Sequence, residues 1–269
     1  MVRNASAVAV FHGGRGWFEQ AVQIDPSDQR SRTWLARQAA EHGDIQAAAA
    51  LLGSPETTDG WLLAARLAWE QGDENAAIAA WRQAPNVAYR FLREGEAAVA
   101  RGDVSAARQA YTLATLVRPA SSWTTRQLGL FLLGPAGDPA EAAAVLARAI
   151  EQGEGDNDPY VYVEYAHALQ QSGRLAEAVS TLVQHPLDTA LANAIRAEGA
   201  RATGDLQEAA RLLERATRQD PSDPWFWLAL GHVYAGQGRS DDARAAWQQA
   251  VRIAPTFQPA RDALGLFPQ

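Results

Sequence analysis

The amino-acid sequence predicts an all-α fold in which short helices pair and stack into a solenoid. Seven times along the chain, a Gly-Asp or Gly-Arg pair is followed by an alanine five residues after the glycine. The glycines lie 29 to 36 residues apart, a period typical of helical repeat arrays rather than of one compact core. The glycines are Gly43, Gly72, Gly102, Gly137, Gly173, Gly204 and Gly238, and the alanines are Ala48, Ala77, Ala107, Ala142, Ala178, Ala209 and Ala243.

Each repeat is predicted to be two helices joined by a turn at its glycine. The first helices begin near residues 29, 58, 88, 122, 159, 190 and 224. A small residue in the first helix faces a large residue in the second, which fills the gap where the helices cross. The small residues are Ala36, Ala65, Gly95, Gly129, Ala166, Ala197 and Gly231, and the large ones are Leu52, Trp81, Tyr111, Leu146, Leu182, Leu213 and Trp247.

Aspartates and prolines mark where the helices start and stop. Aspartates that follow a turn glycine or precede a proline are placed to cap the next helix. They are Asp44, Asp73, Asp103, Asp138, Asp158, Asp205 and Asp223. Gly53, Pro55 and Pro85 predict short second helices in the first two repeats, and residues 151–158 predict a longer acidic connection.

The two ends of the chain depart from the full repeat. Residues 17–26 match the second helix of a repeat, but the stretch at 4–11 is too short to be its full partner. We therefore expect a degenerate opening half-repeat at 1–28, seven tandem units at 29–256 and a capping helix at 257–269. A polar terminal helix of this kind covers the last apolar face of an array.

The last full unit carries the clearest motif. It reads Trp227, Leu230, Gly231 and Tyr234, then Ala243, Trp247 and Ala250, and it ends at Pro255. This unit resembles the tetratricopeptide repeat, whose pattern is W-x2-L-G-x2-Y, then A-x3-F, then P over about 34 residues. With seven units in phase, the chain is identified as a member of that family, of bacterial origin. The resemblance implies a right-handed superhelix and a non-enzymatic scaffold that binds a protein or extended peptide in its concave groove.

The resemblance also implies which residues face a partner. First helices line the concave surface, with inward residues near the second, fifth, ninth and twelfth positions of each unit. The expected partner-binding residues are Arg37, Arg66, Trp69, Tyr89, Tyr160, His167, Trp225 and His232. The second-position aromatics either anchor a partner or pack against the preceding unit, whereas Trp69 lies away from the consensus packing positions. The Lys and Asn clamp of chaperone-binding members is not reproduced, because the chain has no lysine.

Composition argues against several other classes of function. The chain has no cysteine, and its five histidines lie far apart without an HExxH pattern. It also lacks a G-x-S-x-G nucleophile elbow. No catalytic, cofactor or metal site is therefore predicted. A net charge of -7 argues against nucleic acid as the partner, since affinity there comes from neutralising phosphates.

The compartment stays open between cytoplasm and periplasm. No run approaches the roughly 20 apolar residues that cross a bilayer, so direct membrane insertion is not expected. The opening MVRNASAVAVF is interpreted as a partial first helix rather than as a signal peptide. The incomplete first repeat suggests an alternative function, a soluble module of a larger bacterial cell-envelope assembly, glycan-synthesis or export system.

Overall fold

The computed structural model describes residues 14–266, a range that contains seventeen helices and no strand. The predicted all-α solenoid of paired helices is thereby confirmed. The chain divides into two compact units, residues 1–119 and 120–269. The described helices of the first unit are α1 (Arg15–Ile24), α2 (Gln29–Glu41), α3 (Ile45–Leu52), α4 (Thr58–Glu70), α5 (Glu74–Gln83), α6 (Val87–Ala100) and α7 (Val104–Val117). Those of the second are α8 (Ser122–Leu133), α9 (Pro139–Glu151), α10 (Glu154–Asn157), α11 (Tyr160–Gln171), α12 (Leu175–Gln184), α13 (Ala190–Ala202), α14 (Leu206–Gln219), α15 (Pro224–Gly236), α16 (Ser240–Ile253) and α17 (Gln258–Leu266).

The repeat glycines form the turns between paired helices. All seven adopt a left-handed backbone, with φ between 64° and 85°, which strains any residue that carries a Cβ atom. After the turn, Asp44, Asp73, Asp103 and Asp205 each accept a hydrogen bond from the backbone N–H three residues on, at 2.9–3.0 Å. One Gly-Asp pair thus ends one helix and begins the next.

Close packing explains the alanine of each repeat. All seven alanines have no exposed surface, since each lies at the contact between the two helices of its pair. The small and large residues meet as predicted: a Cβ atom at Gly129 would stand 2.7 Å from Leu146 Cδ2. The repeat core therefore consists of small side chains of one helix set against a large side chain of the other.

The short second helices and the acidic connection lie where the sequence predicts them, although the connection contains a helix. Helices α3 and α5 have 8 and 10 residues, against 14 in α7. The predicted acidic connection contains the short helix α10, and its Glu154 is buried. Helix α11 begins at Tyr160, one residue later than expected, and the Asp158 carboxylate accepts the Tyr160 N–H at 3.0 Å. The connection is thus folded onto its neighbours.

The predicted domain boundaries stay a prediction. Helices α1 and α17 occupy the segments assigned to the opening half-repeat and to the capping helix. The stretch at 4–11, including the partial first helix expected there, lies outside the described residues, as do residues 267–269. Within residues 14–266, no helix combines the length and the apolar character needed to cross a membrane.

Candidate functional site

A cavity of about 890 Å³ lies in the second unit, on the first helices of three consecutive repeats. Helix α11 contributes His167, α13 contributes a row of side chains, and α15 contributes Trp225 and His232. Leu213 of α14 lines the cavity from the second-helix layer. Three of the eight residues expected to bind a partner are therefore brought together in one place.

Helix periodicity explains why these side chains share one wall. On α13, Leu191, Ala194, Glu198 and Arg201 are spaced three and four residues apart, which places them on one face. The beginning of this row is apolar and its end is charged. Trp225, Ala229 and His232 form the matching row on α15. Trp225 and His232 were expected from the sequence, but Ala229 was not.

Both acidic residues of the cavity wall already have hydrogen-bond partners within the protein. The Gln170 side-chain amide of α11 donates to the Glu198 carboxylate of α13. The Asp223 carboxylate accepts the backbone N–H of Trp225 at 2.8 Å and so caps α15. The first contact joins the first helices of neighbouring repeats, and the second caps its own helix.

The surroundings of the two histidines of the cavity favour their neutral form. Burial lowers the pKa of His167, and burial together with the positive charge of Arg201 lowers the pKa of His232. The His232 ring also meets the Trp247 ring at 5.5 Å in an edge-on arrangement.

Trp225 stands at the cavity as an exposed aromatic surface. Its side chain is 59% exposed, although one edge meets the Phe257 ring at 4.7 Å. Tyr160, Tyr89 and Trp123, at the same repeat position, are exposed as well. All four rings are therefore exposed, and whether they anchor a partner stays a prediction.

The first unit brings Arg37 and Arg66 together in a second cavity of about 550 Å³. Asp59, Arg90 and Glu94 also line it. The Arg66 guanidinium pairs with Glu70, one turn along its own helix, at 2.7 Å. The inner face of the first unit is therefore a mixed charged surface in which arginine predominates.

Trp69 and Tyr89 do not line these two cavities. Trp69 is half-buried, and its ring lies 5.4 Å from the Trp81 ring, which in turn meets Phe91 edge-on at 5.0 Å. Trp69 therefore takes part in an aromatic cluster within the first unit. Tyr89 is exposed on α6.

An arginine that sequence reasoning did not single out links three helices of the second unit. The Arg126 guanidinium makes two bonds to Glu164, at 2.6 and 2.7 Å, one to Asp158 at 2.7 Å and a longer one to Glu154 at 3.4 Å. The Arg126 side chain is only 12% exposed, and these carboxylates raise its pKa. The acidic connection at 151–158 thus has a structural role.

Among the residues that the structure describes, no group of three or more His, Asp or Glu side chains is arranged to hold a metal ion. The polar side-chain groups that line the cavity are two amides, two hydrogen-bonded carboxylates, two imidazoles and one guanidinium. This arrangement can hold a ligand through apolar contact and a few directed polar bonds.

Family comparison agrees with the repeat frame. A family model described as tetratricopeptide repeat matches residues 136–197 and 200–265. The chain contains tetratricopeptide repeats, as predicted. Proteins built from such repeats are generally non-catalytic scaffolds for protein–protein interaction.

Solved structures show the same tetratricopeptide fold at low sequence identity. A crystal structure of MamA superposes with a TM-score of 0.50 at 18% identity, covering 68% of this chain and 99% of that one. MamA from Desulfovibrio magneticus RS-1 gives 0.51 at 14% identity, covering 63% and 96%. The human IFIT1 dimer with PPP-AAAA gives 0.50 at 18% identity, covering 87% and 62%. At these identities the likeness concerns the fold alone.

One curated relative is more similar in sequence. It is the cellulose synthase operon protein C of Xanthomonas axonopodis pv. citri (strain 306), 30% identical over 193 residues. The match covers 64% of this tetratricopeptide repeat chain but only 12% of the relative. The chain therefore spans a small part of that protein's length.

Proposed function

We propose that this protein is a non-enzymatic scaffold that binds an extended segment of a protein partner along its first helices. The cavity of the second unit is the main anchoring site. The observation that carries the proposal is that three consecutive first helices form one cavity of about 890 Å³ with an apolar wall and few polar groups. Ligand sites in proteins have this size and character, roughly 300–1,000 Å³ with a small number of directed polar groups.

Trp225 is the proposed anchor of this site, flanked by His167 and His232. Exposed tryptophan is the residue type that most often carries binding energy at protein interfaces. Its indole offers a large apolar area at little loss of side-chain entropy, since one edge already rests on Phe257. Tyr160, at the same repeat position on α11, is exposed as well and is proposed as a further contact.

The first unit supplies a second proposed contact surface, with Arg37, Arg66, Tyr89 and Trp69. We expect an acidic part of the partner there, because complementary charge fixes orientation and partner choice. Tyr89 is exposed enough to contact a partner directly. Trp69 is the weakest member of the set, since its ring is engaged with Trp81.

The partner is proposed to be protein rather than nucleic acid. The net charge of -7 opposes binding to a phosphate backbone, and Asp59 and Glu94 lie among the arginines of the first unit. A short single-stranded RNA, titrated against the protein at low salt, is expected to give no change in fluorescence anisotropy. Salt-sensitive binding of that RNA would contradict the choice of protein.

A second candidate function is a tetratricopeptide module of a larger cell-envelope assembly. The relative named cellulose synthase operon protein C is the observation that favours it. Fractionation of the native host tests this candidate. Recovery of the chain with envelope proteins, after washing at high salt, would support it, and recovery with cytoplasmic partners alone would argue against it.

Site-specific crosslinking tests the main proposal in the native host. A photoreactive amino acid at Ala229, which lines the cavity, is expected to crosslink the partner. The same amino acid at Val183, an exposed position on the second helix α12, is the matched control and should not. Crosslinks to the same partner at Val183 but not at Ala229 would assign binding to the other face.

A further inference from the structure

We propose that the cavity of the second unit selects a segment in which an aromatic side chain and an acidic side chain are separated by one residue. Arg201 is the residue that recognises the carboxylate. This inference rests on the proposed function, because it assigns a ligand chemistry to the same cavity.

Arg201 is the cation among the residues that line the cavity. Within residues 14–266, its guanidinium has no carboxylate at ion-pair distance. Glu198 lies one turn earlier on the same helix, but its carboxylate accepts a bond from the neutral side-chain amide of Gln170 on the neighbouring first helix instead. Asp223 is bonded to the backbone N–H of Trp225. A carboxylate brought by a ligand would therefore meet a guanidinium that is not already in an ion pair.

The rest of the cavity suits an aromatic side chain. Leu191 and Ala194 line it from α13, and Leu228 and Val233 line it from α15. Trp225 stands exposed beside them, and aromatic pairs in edge or offset contact gain affinity beyond the area they bury. The ligand chemistry that fits is an apolar ring next to a negative charge.

Helix and strand geometry fix the spacing between the two ligand groups. From Ala194 to Arg201 the helix rises roughly 10 Å, and the long arginine side chain can bridge part of that distance. In an extended peptide, side chains two residues apart point to the same side, about 6.6–6.8 Å from each other. The peptide pattern that fits is an aromatic residue followed, two positions later, by a glutamate. The aromatic ring would then contact the apolar wall while the carboxylate reaches Arg201.

The carboxylate is assigned to an internal side chain rather than to a chain terminus. The cavity crosses the first helices of three repeats, so an extended segment can run past Arg201 on both sides. Among the lining residues, Arg201 is the single cation, so the wall offers no second positive group to surround a terminal carboxylate.

Calorimetric titration of the full chain with matched peptides tests the proposal. The first peptide is acetylated and amidated and carries Phe-Ser-Glu at its centre, and the second carries Phe-Ser-Gln. We expect the Glu peptide to bind about tenfold more tightly, the effect of one hydrogen-bonded charge. A third peptide ends in Phe-Ser-Gln with a free terminal carboxylate, and we expect it to bind no better than the second.

Two variants separate Arg201 from general electrostatics. Arg201→Gln is expected to bind both amidated peptides equally. Arg218→Gln, an exposed arginine on the second helix α14 that does not line the cavity, is the matched control and should keep the tenfold preference. A preference that survives Arg201→Gln overturns the proposal, as does a third peptide that binds as tightly as the first.

Trp225→Ala distinguishes failure of this inference from failure of the proposed function. It is expected to weaken both amidated peptides by the same factor. If both bind as before, the peptides do not use the cavity and the inference fails together with the anchoring site. If both are weakened while Arg201→Gln changes nothing, the site stands and the assignment of Arg201 is wrong. A Glu peptide that does not bind at about 1 mM also overturns the inference.

Discussion

The ring of Tyr111 lies so close to Gly95 that a Cβ atom at position 95 would stand 2.8 Å from Tyr111 Cε2. Gly95 belongs to α6 and Tyr111 to α7, the two helices of one repeat. The same relationship joins Gly231 of α15 to the ring of Trp247 on α16. Glycine at this position therefore sets how closely the paired helices cross, and the large side chain opposite fills the crossing.

Gly95→Leu is expected to overpack this crossing. The new side chain would have to displace the nearly buried Tyr111 ring, which should destabilise the protein by about 1–3 kcal/mol. Thermal unfolding followed by circular dichroism measures the effect, and Ala166→Phe should behave alike. Gly16→Ala is the control, since no atom lies within 4 Å of a Cβ atom there. Unchanged stability of Gly95→Leu would show that the repeat register is misplaced.

Arg126→Met is expected to destabilise the second unit strongly. It leaves the buried Glu154 and the half-buried Glu164 without their cation, and breaking a buried ion pair by removing one partner destabilises by about 3–5 kcal/mol. Urea unfolding at pH 7 measures this. Arg174→Met, which removes an exposed pair with Glu177, should have a much smaller effect. Equal effects of the two variants would show that the Arg126 cluster is not structural.

Acidification should reduce the difference between the parent and Arg126→Met. The Arg126 guanidinium, with help from the Tyr160 N–H, holds the pKa of Asp158 below its usual range. The folded form therefore releases its proton more readily, and this stabilisation is present above the unfolded pKa of about 3.9. It is lost as the pH falls through the lower folded pKa. Unfolding midpoints at pH 7, 4 and 3 should converge, and a constant difference would contradict the account.

Trp69→Ala is expected to lower the free energy of unfolding of the first unit. The sequence suggested a partner anchor, but the ring contributes to the cluster with Trp81 and Phe91. Removing a half-buried tryptophan should destabilise the first unit by about 2–3 kcal/mol, near the lower end for large aromatic truncations. Trp17→Ala, an exposed tryptophan on α1, is the matched control in the same unfolding experiment. A stability equal to that of the control would show that the cluster does not depend on the Trp69 ring.

The fold was predictable because its determinants are local and repeated. A left-handed glycine, a capping aspartate and an alanine without exposed surface recur together, as at Gly204, Asp205 and Ala209. Repeat position also singled out His167, Trp225 and His232, which line one cavity, and their contact with a partner stays a prediction. Whether the second-position rings were buried could not be predicted, because that depends on the spacing between repeats.

Other parts of the site depend on contacts that no local pattern encodes. Arg126 meets Glu154 only because the acidic connection folds into α10 and turns this glutamate inward. Arg201 is left without a carboxylate only because Glu198 bonds to Gln170 on another helix. Both outcomes depend on which polar side chains of separate helices meet after folding, and the sequence names the candidates without showing these contacts.

The affinity of Trp225→Ala for the crosslinked partner tests the central claim most directly. Truncating a tryptophan anchor typically weakens binding by about 2 kcal/mol or more, which corresponds to roughly thirtyfold in Kd. We expect that loss in Trp225→Ala with helix content unchanged, and no loss in Trp17→Ala, which removes another exposed tryptophan far from the cavity in sequence. Parent-like affinity of Trp225→Ala would contradict the cavity of the second unit as the anchoring site.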